Sequence, residues 1–296
     1  MLSAKPWKVE AIARLLLGVL LCFFCGSLAV TALHYRGPGG FASLRVYLAC
    51  AGALSFLIAT VVLLHRPWRY EAFVRHLLAL LFCFIAGLVL SLWAQETAGP
   101  PSKTAAGELM LIIEPAVLIL FALFLREHHV TWNEAFGLAD GWRQAVLYGL
   151  MAACIFLPVG WTLQWVSAQA MVRLHLEPQE QEVVQTLRAS SAWLNQASLG
   201  IVAIGLAPVV EETFFRGILY PALKQTGFPR LALWVSALLF ALIHFNVVSF
   251  VPLLLLAIML TLLYEYTGNL LAPIVAHALF NTVNFAVLFM TELRSH

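Results

Sequence analysis

The chain has 296 residues, 62% of them hydrophobic and only 11% charged, with a formal net charge of +2. Ordinary soluble domains carry roughly a quarter charged residues, so this composition lacks the polar surface that would cover a soluble fold's core. The near-neutral balance comes without a basic tail or a basic patch interleaved with aromatics, and gives no support for nucleic acid as a partner.

A helix needs about 20 residues to cross the hydrocarbon layer of a bilayer, and the sequence supplies apolar runs of that length from end to end. Span one is predicted over 11–33 and ends at Gly37-Pro38-Gly39-Gly40. It is too long for a signal-peptide core and reads as a retained span. Spans two and three are predicted over 43–64 and 76–94, before a turn-rich polar loop. Span four, 108–125, contains Glu114 and Pro115, and span five, 144–167, contains Pro158. Residues 174–193 are polar, with an acidic, glutamine-rich first half, and suggest a short amphipathic helix at the membrane surface. Span six runs over 194–222, span seven over 231–248, a short and potentially re-entrant span eight over 249–264, and span nine over 270–291. The expected fold is therefore all-α, a polytopic transmembrane helix bundle with eight or nine spans. Its expected divisions are helices of unassigned role over 1–170, a polar loop over 171–193, and a chemistry-bearing bundle over 194–296.

Lysine and arginine placement fits a cytoplasmic N-terminus, with Lys5, Lys8, Arg14, Arg66, Arg69, Arg75, Arg126, Arg143, Arg216, Lys224 and Arg230 on the cytoplasmic side and Arg36, Arg45, Lys103, Arg173 and Arg188 opposite. Trp7, Trp68, Trp132, Trp161 and Trp193 fall near the expected membrane edges, as an aromatic belt would. Cys22, Cys25, Cys50, Cys83 and Cys154 all lie in apolar stretches, and the Cys22–Cys25 CxxC reads as two small apolar side chains. The sequence has no Walker motif, dinucleotide fingerprint or HExxH, so no cofactor is expected. A transporter-type internal repeat is also absent.

Ionisable groups within apolar helices carry the functional signal, because each costs about 2.5–3.5 kcal/mol at mid-bilayer on insertion scales. The densest set is PVVEETFFRG. Glu212 and Arg216 stand at i, i+4 and can pair on one face. Glu211 points about 100° away, toward a different environment. His244 closes SALLFALIHF in span seven, and His277, Asn281 and Asn284 form one stripe of span nine. Taken singly, the Glu-Glu-Arg set could close a span in the headgroup region, and a lone membrane histidine is as often a packing residue. Buried polar groups need partners, so the economical reading gathers Glu211, Glu212, Arg216, His244, His277 and Asn281 around one hydrated cavity. Amide hydrolysis requires a base for water, a donor for the oxyanion and an acid for the leaving amine, and this set supplies all three. Two His and two Glu would also make a zinc site by ligand type, with Glu211, His244 and His277 as ligands. Asn246 reads as a helix-end cap, and Glu114 either faces the cavity or pairs with a basic group of another helix.

The ordered motifs Glu211-Glu212-Thr213-Phe214-Phe215-Arg216, Phe240-Ala241-Leu242-Ile243-His244 and His277-Ala278-Leu279-Phe280-Asn281 resemble those of the CAAX-protease and bacteriocin-processing family of membrane peptidases. That group is also described as type II CAAX prenyl endopeptidase-like, or Abi. The resemblance covers about 195–290. It implies a glutamate-type peptidase without a catalytic metal, in which Glu211 and His244 activate water and His277 and Asn281 form an oxyanion hole. Glu212 and Arg216 would support the site, with Glu212 as a further catalytic candidate. The implied substrate is a membrane-associated protein or peptide, and the expected location is a bacterial inner membrane. The alternatives are a non-enzymatic scaffold or bacteriocin-immunity-type protein on the same fold, and a transporter. One conflict stands in the expected boundaries. Glu211 falls in the cytoplasmic third of span six and His244 at the far end of span seven, too far apart in straight helices to share a water. Gly205, Pro208 and Gly217 would permit the needed irregularity.

Overall fold

The computed structural model describes residues 5–7, 11–12, 14–16, 18–20, 22, 105–189 and 193–293. Most of expected span one and all of spans two and three lie outside these residues. The chain divides into two compact units, Glu10–Glu127 and Met1–Val9 with His128–His296.

In the first unit, helix α1 (Ala105–Glu127) buries Ile113, Val117, Phe121 and Leu125. Glu114 is buried beside the internal Pro115, and Arg14 pairs with Glu127 at 3.1 Å.

The second unit carries the motifs. It contains α2 (Trp132–Phe136), α3 (Trp142–Arg173) and α4 (Glu182–Ala189). Next comes α5, a continuous helical rod through Trp193–Ile201, Val202–Leu206, Ala207–Glu212, Thr213–Leu219 and Tyr220–Lys224. The unit ends with α6 (Pro229–Leu242), α7 (Val247–Thr267) and α8 (Leu271–Leu293). Among the described residues four helices are long and apolar enough to cross a membrane: α3, α5, α7 and α8. The expected count of eight or nine is not reached on these residues.

Two of the expected spans exchange character. Span seven, expected over 231–248, stops at Leu242 after 14 residues, whereas the span expected to be short and potentially re-entrant is a 21-residue helix. The cause is local. Phe245 takes a left-handed φ of 47°, which ends α6, and Asn246 starts α7 by accepting the Ser249 N–H at 2.8 Å. Asn246 is thus the cap the sequence suggested. Its Nδ2 also donates to the Gln179 carbonyl, tying the 174–181 segment to the start of α7.

The rod α5 is not a plain α-helix. Over Val202–Leu206 and Thr213–Leu219 it widens into π turns, in which Ala207 N–H reaches back five residues to Val202 and Tyr220 N–H to Phe215. Each wide turn precedes a proline, Pro208 or Pro221. Proline lacks an N–H and its ring crowds the carbonyl four residues earlier, here Ile204 or Gly217, and a wider turn relieves both problems. Carbonyls of the second wide turn also meet donors from outside the rod. Ser236 Oγ reaches Phe215 O at 3.4 Å, and the Trp7 indole donates to Ile218 O at 3.3 Å. Trp7 is therefore not a belt residue. It is buried, edge-on to His128, and the adjacent Lys5 is buried with its ammonium on the Ala135 carbonyl. Burial holds the Lys5 ammonium below the usual lysine range.

Helix α2 is locked by a capping box between Thr131 and Glu134 and sets Phe136 against the second π turn. A Cβ at Gly217 would lie 2.6 Å from Phe136 Cε1. Behind the rod, α3 packs against α7 and α8. A Cβ at Gly149 would lie 2.6 Å from the Ala272 carbonyl, so glycine permits this close helix approach. Trp161 donates to Asn284 Oδ1 at 2.9 Å across the same interface, and Phe156 packs on Phe280.

Gly217→Ala is expected to cost about 1–3 kcal/mol through overpacking, seen as a lower thermal unfolding midpoint in detergent. Adding Phe136→Leu should recover part of the loss.

Candidate active site

The i, i+4 spacing of Glu212 and Arg216 produces a buried ion pair. Arg216 Nη1 donates to Glu212 Oε1 at 2.7 Å, with the side chains 1% and 0% exposed. From α8, His277 Nδ1 meets the same oxygen at 2.8 Å and is itself buried. With two nitrogens converging on one oxygen, Glu212 is held as an acceptor, the anionic form. Arg216 Nη2 adds a bond to the Ala257 carbonyl of α7 at 3.2 Å. Three helices therefore meet on one carboxylate–guanidinium pair. Glu212 Oε2 and Arg216 Nε remain buried without a protein hydrogen-bond partner.

Glu211 turns away from this cluster, as its helical offset requires, and faces α6. His244 Nε2 lies 4.0 Å from Glu211 Oε2, and each side chain is 21% exposed. His244 Nδ1 lies 2.8 Å from the Phe240 carbonyl. A carbonyl only accepts, so Nδ1 carries a proton and Nε2 faces Glu211. The separation exceeds a direct hydrogen bond, and Glu211 Oε2 has no hydrogen-bond partner in the protein.

This corrects the expected gap between Glu211 and His244. The α5–α6 connection lies at 225–228, and each residue sits roughly 20 Å along its helix from that turn at 1.5 Å rise per residue. Counted from that turn the two residues are therefore level, and α6 ends beside them at Leu242.

Asn281 is placed differently from His277. Its Nδ2 donates to the Ala203 carbonyl at 2.8 Å, in the first π turn of α5. The amide retains a second N–H and its oxygen. Asn284, one turn on, serves the α3 interface through Trp161. Glu114 belongs to the other compact unit.

Phe240 was visible in the sequence only as a motif letter. Fully buried, its ring lies 4.4 Å under the Arg216 guanidinium, 4.9 Å from the His244 ring and 5.8 Å from the His277 ring. A second network at the turn end of the rod, Tyr220 and Lys224 on Glu265 of α7, was not anticipated. Its signal would have been the Lys224–Glu265 charge pair on neighbouring spans.

Among the described residues no group of three or more His, Cys, Asp or Glu is arranged to hold a metal ion. Of the trio Glu211, His244 and His277, the first two face one another at 4.0 Å, whereas His277 Nδ1 lies on Glu212 Oε1.

Residues 193–283 match the sequence model of the Type II CAAX prenyl endopeptidase Rce1-like family. The match spans the rod, α6, α7 and α8 through Asn281, and so contains all three motifs. Similar proteins include the uncharacterized protein YpbD of Bacillus subtilis (strain 168), 37% identical over 82 residues, covering 26% of this chain and 39% of YpbD. The UPF0177 protein YaiF of Lactococcus lactis subsp. lactis (strain IL1403) is 26% identical over 149 residues, covering 49% of this chain and 64% of YaiF. The chain thus spans less than two thirds of either relative. No solved structure matches it. The Rce1-like match together with four long apolar helices marks an integral membrane protein.

Arg216→Met leaves the buried Glu212 carboxylate without its cation and is expected to destabilise by about 3–5 kcal/mol. Combining it with Glu212→Gln should restore much of the unfolding midpoint, since no unpaired charge then remains buried.

Proposed function

We propose that the chain is an intramembrane endopeptidase that hydrolyses a peptide bond in a membrane-associated protein or peptide without a catalytic metal. The observation that carries this reading is the 4.0 Å facing of His244 Nε2 and Glu211 Oε2 beside the buried Glu212–Arg216–His277 cluster. A water contacting both Glu211 and His244 loses a proton to this pair as it attacks the scissile carbonyl. The carbonyl carbon gains the hydroxyl oxygen, and its π electrons move onto the carbonyl oxygen as an oxyanion. Collapse of the tetrahedral species re-forms the carbonyl and breaks the C–N bond. The proton taken from water passes to the leaving amine.

Oxyanion stabilisation falls to Asn281 and His277. The second N–H of Asn281 is the neutral donor. His277 has committed Nδ1–H to Glu212, so its Nε2 donates only as an imidazolium, which the Glu212 carboxylate stabilises. Glu212 thereby acts through His277, and Arg216 holds Glu212 in place. The exposure of Glu211 and His244, against the burial of the other cluster, supports approach of substrate and water from the Glu211–His244 side.

The test compares protein N-termini in membranes from cells carrying wild-type chain or Glu211→Gln at matched expression. Wild-type-dependent new termini, reproduced with purified protein, are expected. Identical termini under conditions where the protein is required would favour a scaffold or immunity role. Asn281→Ala should lower kcat by about 10²–10³.

Glu212→Gln bears on the supporting cluster. In protein that remains folded it should lower kcat with little change in KM, since the partner that holds His277 is altered. An unchanged kcat would remove Glu212 and His277 from the reaction.

A further inference from the structure

We propose that Phe240 is a positioning residue, whose π face holds the Arg216 guanidinium and whose main chain sets the protonation geometry of His244. The inference rests on the peptidase reading above and adds to it a residue with no ionisable or nucleophilic group. The Phe240 ring is completely buried, with the guanidinium carbon 4.4 Å from its centroid. That distance is well inside the range of cation–π attraction, which is strongest where both partners are desolvated. The contact is directional, because the ring's negative face attracts the cation while its positive edge does not. Arg216 has its other anchors in Glu212 and Ala257, from α5 and α7. The ring supplies the anchor from α6.

The same residue touches both imidazoles. Its ring lies 4.9 Å from His244 and 5.8 Å from His277. Phe215 meets it edge to face at 5.3 Å and so fixes its tilt. Its carbonyl accepts Nδ1–H of His244, one turn later in the chain, leaving Nε2 toward Glu211. The Phe240 ring contacts both clusters, His244 on one side and Arg216 and His277 on the other. A leucine here would fill much of the volume but would provide no face for the cation. The aromatic ring, rather than bulk alone, keeps the two halves of the site in register.

The test replaces Phe240 in the full chain with 4-fluoro-, 3,5-difluoro- and 3,4,5-trifluorophenylalanine, which weaken the ring's negative face stepwise with little change in size. The same series at Phe156, which packs on Phe280 instead of a cation, controls for volume. Expected at position 240 are a graded fall in kcat, reaching about tenfold for the trifluoro ring, an unchanged KM, and a graded fall in unfolding midpoint. Position 156 should show neither trend. A midpoint that falls while kcat holds would reduce Phe240 to a packing residue and overturn the proposal. Equal midpoints across the series would overturn it as well, whether or not the wild type cleaves the substrate tested. Failure of the peptidase reading appears separately, as wild type and Glu211→Gln giving identical termini.

Discussion

A carboxylate and a guanidinium buried together at membrane depth organise this domain. Neither ion is tolerable there alone, since removing a charge from water costs several kcal/mol that only close pairing and further hydrogen bonds offset. Glu212 and Arg216 meet that condition at 2.7 Å, and each draws in a second helix: Glu212 binds His277 of α8, and Arg216 binds the Ala257 carbonyl of α7 and lies over Phe240 of α6. Helices surrounded by lipid lack the hydrophobic drive that packs soluble bundles. Satisfying one buried ion pair therefore becomes a reason for four helices to converge at one point.

In the proposed reading the chemistry falls to the residue beside that convergence. Glu211 is turned out of the cluster by a single helical step, and its partner His244 comes from a helix that ends early. The first group of side chains is sealed and anionic at Glu212, while Glu211 and His244 are reachable. Division into a fixed electrostatic half and an accessible half suits a hydrolase, which needs preorganised donors on one side of the scissile bond and a water on the other. The first proline-driven π turn in α5 completes the arrangement by leaving the Ala203 carbonyl for Asn281. A regular α-helix would pair this carbonyl with the Ala207 N–H and give α8 less to hold.

Much of this was legible in the sequence because it depends on local periodicity. Apolar runs longer than a bilayer is thick define helices whatever else surrounds them, and a four-residue step places Glu212 on Arg216 and turns Glu211 aside. The cap at Asn246 is likewise a short-range property of its side chain. Spacing of charged groups in otherwise apolar helices, read with the three motifs, was enough to gather Glu211, Glu212, Arg216, His244, His277 and Asn281 as candidates for one site.

What tertiary structure alone decided is how those pieces meet. Depth of a residue in a helix hairpin depends on where the turn falls, and the turn at 225–228 sets His244 level with Glu211, while the left-handed Phe245 ends the segment just beyond it. Periodicity gives no indication that His277 would bind Glu212 while Asn281, one turn away, would bind a π-turn carbonyl. Nor does it reveal Phe240 as the shared wall, or the burial of Trp7 against a helix more than 200 residues along the chain. The sequence determined which residues are costly to bury in a membrane, because that cost belongs to each side chain; which partners relieve it was decided only when the helices packed, because pairing depends on distances between segments that no local pattern encodes.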